Sequence, residues 1–149
     1  MKIYFITPVR NASPELLEAV QAYVKDLEQS GDEVHFPPRD VDQNDPTGFV
    51  ICQHHLAAMK LADKVVVYWD ATSTGSHFDL GMAFALGKPV ELVHLCQPDG
   101  PGKSYIKVMQ QMTGGDYAPH PEKLAFQNKQ GQINPNTSLS KRTPSAPKL

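Results

Sequence analysis

Short apolar runs and helical patterns of apolar residues alternate along most of the chain. Four apolar runs predict β-strands, because each is short and is bounded by turn residues such as proline or glycine. These runs are Lys2–Thr7, Glu33–Phe36, Lys64–Trp69 and Val90–Leu95. Helices are predicted between and after them, at residues 14–30, 49–62, 76–86 and 104–112. Strands that alternate with helices indicate a parallel sheet with right-handed crossovers. We therefore predict a flavodoxin-like (Rossmann-like) α/β fold with helices on both faces.

Local signals mark where the predicted elements begin and end. The pair Ser13-Pro14 is typical of a helix start, and Gly31 is typical of a helix end. Two prolines at positions 37 and 38 close the second strand, and the polar residues 39–48 are expected to be irregular. The next helix is predicted from the helical spacing of its apolar residues, which are Val50, Leu56, Met59 and Leu61.

Composition excludes several classes of protein. The chain has 149 residues and a formal net charge of −2, which suits one domain and gives no basic surface for a nucleic acid polymer. No apolar run approaches the roughly 18–20 residues of a membrane span, and the first apolar run is too short for a secretion signal. The two cysteines, Cys52 and Cys96, lack the spacing of a metal site or a disulfide scaffold. Reduced thiols in the cytoplasm are therefore expected.

The composition changes near Tyr117, after which proline, asparagine, glutamine, serine and lysine dominate. We therefore expect one folded domain over residues 1–116 and a polar tail over residues 117–149. Such a composition is typical either of disordered chain or of an arm that orders only against a partner.

The segment Ser73–Ala83 directly follows the third predicted strand and begins with small, hydroxyl-bearing residues. In an open α/β sheet, ligands bind where the carboxyl ends of strands meet the amino ends of helices. This segment offers hydroxyl groups, free backbone N–H groups and one acid, Asp79. We therefore predict the functional site at this turn.

Several segments, in this order and spacing, resemble the nucleoside 2-deoxyribosyltransferase superfamily. They are similar in particular to the branch that cleaves 2′-deoxynucleoside 5′-monophosphates. The segments are Tyr4 with Thr7-Pro8-Val9-Arg10, Leu61–Val67, Gly75–Ala83 and Gly87–Val90. The resemblance extends from Lys2 to about Met112, and implies an enzyme that breaks or exchanges an N-glycosidic bond.

The resemblance implies a nucleophilic role for Asp79, which stands where the family has a glutamate. In that family the carboxylate attacks the anomeric carbon of the sugar and releases the base, through an oxocarbenium-like transition state. Aspartate is able to do the same chemistry, although its side chain is one methylene shorter. The other interpretation is structural, because Ser76-x-x-Asp79 is close to a helix capping box.

Three further residues are catalytic candidates. His55 stands where the family has an acid on the preceding helix; it either orients substrate and carries a proton, or is a partly exposed helix histidine. Asp70 ends the third strand, so its carboxylate either bonds the substrate or caps the turn. Tyr4 is either a core residue or a residue whose hydroxyl reaches the carboxylate. Trp69 and Phe78 either stack on a base or pack in the core, and core packing is favoured.

Other residues are candidates for substrate binding. The resemblance implies that Ser73 contacts phosphate, and helix amino ends and arginine both suit anions, so Arg10 is expected at the same place. The alternatives are a serine that bonds its own turn and a solvated surface arginine. Gly75 is expected to allow a tight turn or a close ligand approach. The remaining binding candidates are Thr7, Asn11, Ser76, His77, which is placed beside the base, and Ser104, which the resemblance places against the phosphate of a neighbouring subunit.

These observations predict N-glycosidic bond cleavage or base transfer on a 2′-deoxynucleoside or its 5′-monophosphate. The partner is a small-molecule nucleoside or nucleotide, and no membrane or nucleic acid polymer is expected. No metal ion or organic cofactor is implied, since a carboxylate and the protein's own dipoles suffice. The resemblance also implies a homodimer or larger homo-oligomer. The alternative function is a nucleotide-binding or sensor protein that kept the pocket without the chemistry.

Overall fold

The computed structural model describes residues 1–10, 12–95 and 101–112. In these residues the chain forms a four-stranded parallel sheet in the order β2-β1-β3-β4. The strands are β1 (Lys2–Ile6), β2 (Glu33–His35), β3 (Lys64–Trp69) and β4 (Val90–Leu95). The helices are α1 (Pro14–Gln29), α2 (Pro37–Asp40), α3 (Phe49–Leu61), α4 (Thr74–Ala85) and α5 (Tyr105–Met112). The predicted tail, the end of the predicted domain and the candidate Asn11 lie outside the described residues.

Helices cover both faces of the sheet, as predicted. On one face α1 packs Val20 and Val24 against the sheet. On the other face α3, α4 and α5 pack onto the sheet through Met59, Leu80 and Met109. Right-handed crossovers explain this division, because the connection from β1 to β2 runs in one direction and the later connections run in the opposite direction. The fold class predicted from the sequence is therefore confirmed.

The strand order creates a crevice between β1 and β3. These two neighbours pair in parallel, and the helices that follow them, α1 and α4, lie on opposite faces. In such sheets this is the topological switch point, at which the loops after the two strands separate and leave room for a ligand. The fold therefore places the loop after β1 and the turn before α4 at one edge.

The segment after β2 differs from the prediction. Residues 37–40 form the short helix α2, although the sequence indicated only a strand end and an irregular segment. Proline is tolerated at the first helical positions because its missing N–H has no partner in the helix there. The Asp40 carboxylate accepts a hydrogen bond of 2.7 Å from the Phe36 amide and so closes the turn.

Helix α3 spans the predicted residues, but the apolar residues that predicted it do not all face inward. Val50 and Leu61 are 50% and 70% exposed. The residues of α3 that are buried are His55 and Met59. The inner face of α3 is therefore partly polar, because the helix lies over the cleft edge of the sheet, where His55 meets Asp79.

The last helix, α5, covers the core of its own chain with Ile106 and Met109 and leaves Tyr105 and Val108 exposed. A two-fold contact through this helix stays a prediction. We expect light scattering at micromolar concentration to give the mass of a dimer, because the exposed side chains extend an apolar surface beyond that needed by one sheet. A monomer mass would contradict this.

No helix among the described residues is long and apolar enough to cross a membrane.

Two partly buried histidines predict how stability depends on pH. Desolvation lowers the pKa of His35 and of His94 from the usual 6.5. Between pH 6.5 and the lowered pKa of the folded state, the unfolded chain binds more protons than the folded chain. The contribution of these histidines to the free energy of unfolding is therefore fully present above pH 6.5 and is lost as the pH falls towards the lowered values. We expect the urea midpoint to decrease below pH 6.5, and to decrease less in the variant His35→Phe/His94→Phe. Equal midpoints on both sides of pH 6.5 would contradict this.

Candidate active site

A cleft of about 470 Å³ opens at the carboxyl ends of β1 and β3. It has three walls: the loop after β1, the segment from α2 into α3, and the turn before α4 with the first turns of that helix. The lining residues are Thr7, Val9 and Arg10; Pro37, Gln43, Gly48, Ile51, Cys52 and His55; and Thr72, Ser73, Thr74, Gly75, Ser76, Phe78 and Asp79.

Asp79 is the acid of the cleft. It lies in the second turn of α4 and is only 7% exposed, yet it forms part of the cleft lining. Its Oδ2 accepts a hydrogen bond of 3.0 Å from Tyr4 Oη, and its Oδ1 lies 3.1 Å from His55 Nδ1. The structure therefore holds one carboxylate between a phenol and an imidazole that come from two other elements.

The capping interpretation of Asp79 is wrong. Helix α4 begins at Thr74, two residues earlier than predicted, and its N-cap is Ser73, whose Oγ accepts from the Ser76 amide. Asp79 follows too late to bond the first amides, and its carboxylate points instead to the buried side chains of β1 and α3. Asp79 therefore does not cap α4.

Tyr4 is fully buried on β1, on the face of the sheet that α3 and α4 cover. Burial, together with the negative charge of Asp79, raises the pKa of this phenol far above its usual value. Tyr4 therefore stays protonated across the physiological range and acts as a donor to Asp79. The sequence left open whether its hydroxyl reaches the carboxylate, and the structure brings the two together.

His55 is a buried residue of α3, so the expectation of a partly exposed helix histidine is wrong. Because its Nδ1 faces an oxygen of Asp79, that nitrogen carries the proton when the carboxylate is ionised. Its Nε2 is also buried, and no protein group among the described residues bonds it. His55 therefore contacts Asp79 through Nδ1, and its Nε2 can bond a further group.

The turn before α4 forms the polar wall opposite Arg10. Ser76 Oγ donates to Ser73 Oγ over 2.9 Å, and Thr72, Thr74 and Gly75 line the cleft beside them. The first amides of a helix have no partner within the helix, and they carry the positive end of its dipole. Together with the exposed Arg10, this wall is suited to an anionic group.

Solved structures give this arrangement a context. A CMP N-glycosidase from Clostridium botulinum matches with a TM-score of 0.55 and 16% identity, over 76% of this chain and 83% of that chain. A 2-deoxyribosyltransferase from Bacillus psychrosaccharolyticus matches with a TM-score of 0.56 and 21% identity, over 79% and 93%. The chain has the 2-deoxyribosyltransferase fold. A conserved protein from Enterococcus faecalis V583 is also similar, with a TM-score of 0.53 and 20% identity, over 74% and 73%.

No protein-family model and no curated protein sequence matches the chain. At identities of 16–21% the likeness to the solved structures is one of fold. It confirms the fold that the sequence segments predicted.

Some predicted site residues lie outside the cleft lining. The Asp70 carboxylate accepts from the amide and the hydroxyl of Thr72, at 2.8 and 2.7 Å, and so stabilises the turn. His77 Nδ1 lies 2.8 Å from the Ser73 carbonyl oxygen, with its ring beside Trp69. Ser104 accepts from the Lys107 amide at the start of α5. The structure therefore gives these three side chains local partners, two of which, Thr72 and Ser73, themselves line the cleft.

The cleft also contains residues that sequence reasoning missed. Phe78, expected in the core, is 57% exposed and lines the cleft, whereas Trp69 is buried as expected. Cys52 was not considered for the site, although it lies three residues before His55 and so on the same helix face. Burial and then the charge of Asp79 raise the pKa of the Cys52 thiol, which favours the neutral form.

Metal binding receives no support from the side chains that the structure describes. Among residues 1–10, 12–95 and 101–112, no group of three or more His, Cys, Asp or Glu side chains is arranged to hold a metal ion. The polar groups that line the cleft include the Asp79 carboxylate, the His55 imidazole, the Arg10 guanidinium and the hydroxyl-bearing turn, with the Tyr4 phenol behind the carboxylate. Proton transfer, carboxylate chemistry and anion binding are the functions that this set can perform.

Proposed function

We propose that this protein cleaves the N-glycosidic bond of a 2′-deoxynucleoside or of its 5′-monophosphate, with Asp79 as the nucleophile. The observation that carries the proposal is the placement of Asp79, a buried carboxylate at the cleft wall bonded to Tyr4 and near His55. The fold supports it, since a CMP N-glycosidase and a 2-deoxyribosyltransferase share that fold.

The chemistry is a covalent displacement at the sugar. An oxygen of Asp79 attacks the anomeric carbon while the bond to the base nitrogen breaks, and the base leaves with a proton from water. The product of this step is a glycosyl ester of Asp79. Water completes hydrolysis, whereas a second base completes transfer. Tyr4 holds the carboxylate by donating to Oδ2, and its raised pKa keeps it a donor throughout.

The 5′-phosphate is proposed to bind between Arg10 and the turn at Ser73. We expect a 2′-deoxynucleoside 5′-monophosphate to bind about 10- to 100-fold more tightly than its nucleoside, since a hydrogen bond to a charged group contributes about 1.5–3 kcal/mol. Arg10→Ala should remove most of this difference while nucleoside affinity stays the same. Calorimetry in an Asp79→Asn background, which prevents turnover, measures both affinities.

A matched control separates the local contact from net charge. Lys25 is an exposed cation of α1 that does not line the cleft, so Lys25→Ala should leave both affinities unchanged. Equal affinity for nucleoside and monophosphate in the parent protein would remove the phosphate role of Arg10 and Ser73.

The function itself is tested by incubating the protein with common 2′-deoxynucleosides and their 5′-monophosphates and separating the products by chromatography. We expect free base from at least one of these substrates. Adding a second base tests transfer, which would appear as a new nucleoside or nucleotide. If ligands bind and no base is released from any of them, the proposed reaction is wrong.

The second candidate is a nucleotide-binding protein without turnover. One observation favours it: both oxygens of Asp79 already face buried side chains, at 3.0 and 3.1 Å, and the side chain is one methylene shorter than glutamate. Attack on a sugar requires one of these contacts to lengthen. Tight binding of a nucleotide with no free base, in the chromatography experiment, would support this candidate.

A further inference from the structure

His35 lies beside Tyr4 on the neighbouring strand. The two residues are register partners in the parallel pair of β1 and β2, so their side chains stand on the same face of the sheet. Their rings are stacked, with centroids 5.4 Å apart and planes 18° apart. The end of β2 therefore presents a flat imidazole to the phenol ring that bonds Asp79.

The Tyr4 ring is held on two sides. His35 covers one face, and the His55 ring meets it in an edge contact, with centroids 5.9 Å apart and planes 64° apart. Because the ring is fully buried, these contacts determine the direction of its hydroxyl towards Asp79. His35 itself does not line the cleft, so any effect it has on a substrate passes through Tyr4.

We propose that His35 is a positioning residue: its uncharged imidazole keeps the Tyr4 ring in the plane from which the hydroxyl reaches Asp79. The inference rests on the proposed function, because Asp79 is treated as the reacting carboxylate. It goes further, because it makes the reaction depend on a side chain that does not contact the substrate.

The surroundings of His35 favour the uncharged imidazole. Its Nε2 is buried and has no partner among the described groups. The charged and titratable groups that act on it are Tyr4 of β1, Arg39 and Asp40 of α2, and His54 and His55 of α3. Desolvation, the largest effect, lowers the pKa of His35, and among the charged groups only Asp40 opposes that shift.

Protonation therefore breaks the arrangement. A charged imidazole with a buried, unpartnered N–H is costly, so the protonated ring is expected to leave the stack for water. Tyr4 then loses the support on one face. We expect kcat for base release to fall as the pH decreases below 6.5, the usual value for histidine, with KM changing little.

Two variants of the full chain test this. His35→Leu removes the flat ring and should lower kcat about tenfold or more, because a displacement near 1 Å of a reacting group costs on the order of a hundredfold. His35→Phe keeps a flat ring that cannot titrate. It should restore most of the activity that leucine loses, and should remove the acidic fall of kcat that belongs to His35. His94→Phe makes the same change at a partly buried histidine of β4 that stacks on Tyr68 and does not line the cleft; it is the matched control and should keep the parental profile.

The outcomes are distinguishable from failure of the proposed reaction. If His35→Leu does not fold by circular dichroism, the profile of His35→Phe decides, and a parental acidic fall in that variant overturns the inference. Parental kcat and profile in a folded His35→Leu also overturn it.

If the parent releases no base, the proposed reaction fails. NMR of the parent then still tests the stack, since His35 Hε1 should be shifted by the Tyr4 ring and titrate below 6.5. An unshifted resonance that titrates at 6.5 overturns the inference.

Discussion

Replacing Asp79 with asparagine is expected to abolish base release and to leave the fold intact. Asparagine keeps the size of the side chain, and its amide oxygen still accepts from Tyr4 Oη. It has no anionic oxygen to attack the anomeric carbon. The loss of a nucleophile typically costs about 10⁴-fold or more in turnover, so free base should fall to the uncatalysed background. Chromatography of the released base measures the change.

Asparagine is a better test than alanine because of what surrounds the carboxylate. Alanine would leave Tyr4 Oη and His55 Nδ1 buried without their partner, and a fall in activity would then mix chemistry with misfolding. Thermal unfolding of the asparagine variant checks that the fold persists. Asp26→Asn, the same change at an exposed position of α1, should keep parental turnover. Unchanged turnover in Asp79→Asn would exclude Asp79 as the nucleophile.

Tyr4→Phe is expected to reduce kcat by about 10- to 100-fold, because a hydrogen bond to a charged group contributes about 1.5–3 kcal/mol. The variant removes only the hydroxyl, so the stack with His35 and the packing of the ring remain. KM should change little, since Tyr4 does not line the cleft. Steady-state kinetics of base release separates the two parameters.

The same variant should also weaken the fold, because Asp79 Oδ2 loses its donor in a buried place. We expect the free energy of unfolding in urea to decrease by about 1–3 kcal/mol. Tyr23→Phe, at another buried tyrosine, which lies on α1 and packs against the sheet, is the control for loss of a hydroxyl and should keep parental kcat. A Tyr4→Phe protein that is less stable but turns over at the parental rate would make Tyr4 a structural residue only.

The sequence by itself determined the order of the strands and of the four longer helices, and the edge of the sheet at which the cleft opens. Apolar runs, proline and glycine are local signals, so they identify a strand or a helix end without knowledge of its neighbours. The turn at Ser73 was predictable in the same way, because it directly follows an apolar strand. The short helix α2 was not predicted from the sequence, because proline can end a strand and can also begin a helix.

Only the tertiary structure decided which side chains meet. The apolar spacing predicted α3 as a helix and included its buried Met59, but it gave no sign that His55 is buried as well, 3.1 Å from a carboxylate on another helix. The contact of Tyr4 with Asp79 joins residues 75 positions apart, and that of Tyr4 with His35 depends on the register of two strands. Pairings of this kind depend on how whole elements pack, and a local pattern carries no information about that packing.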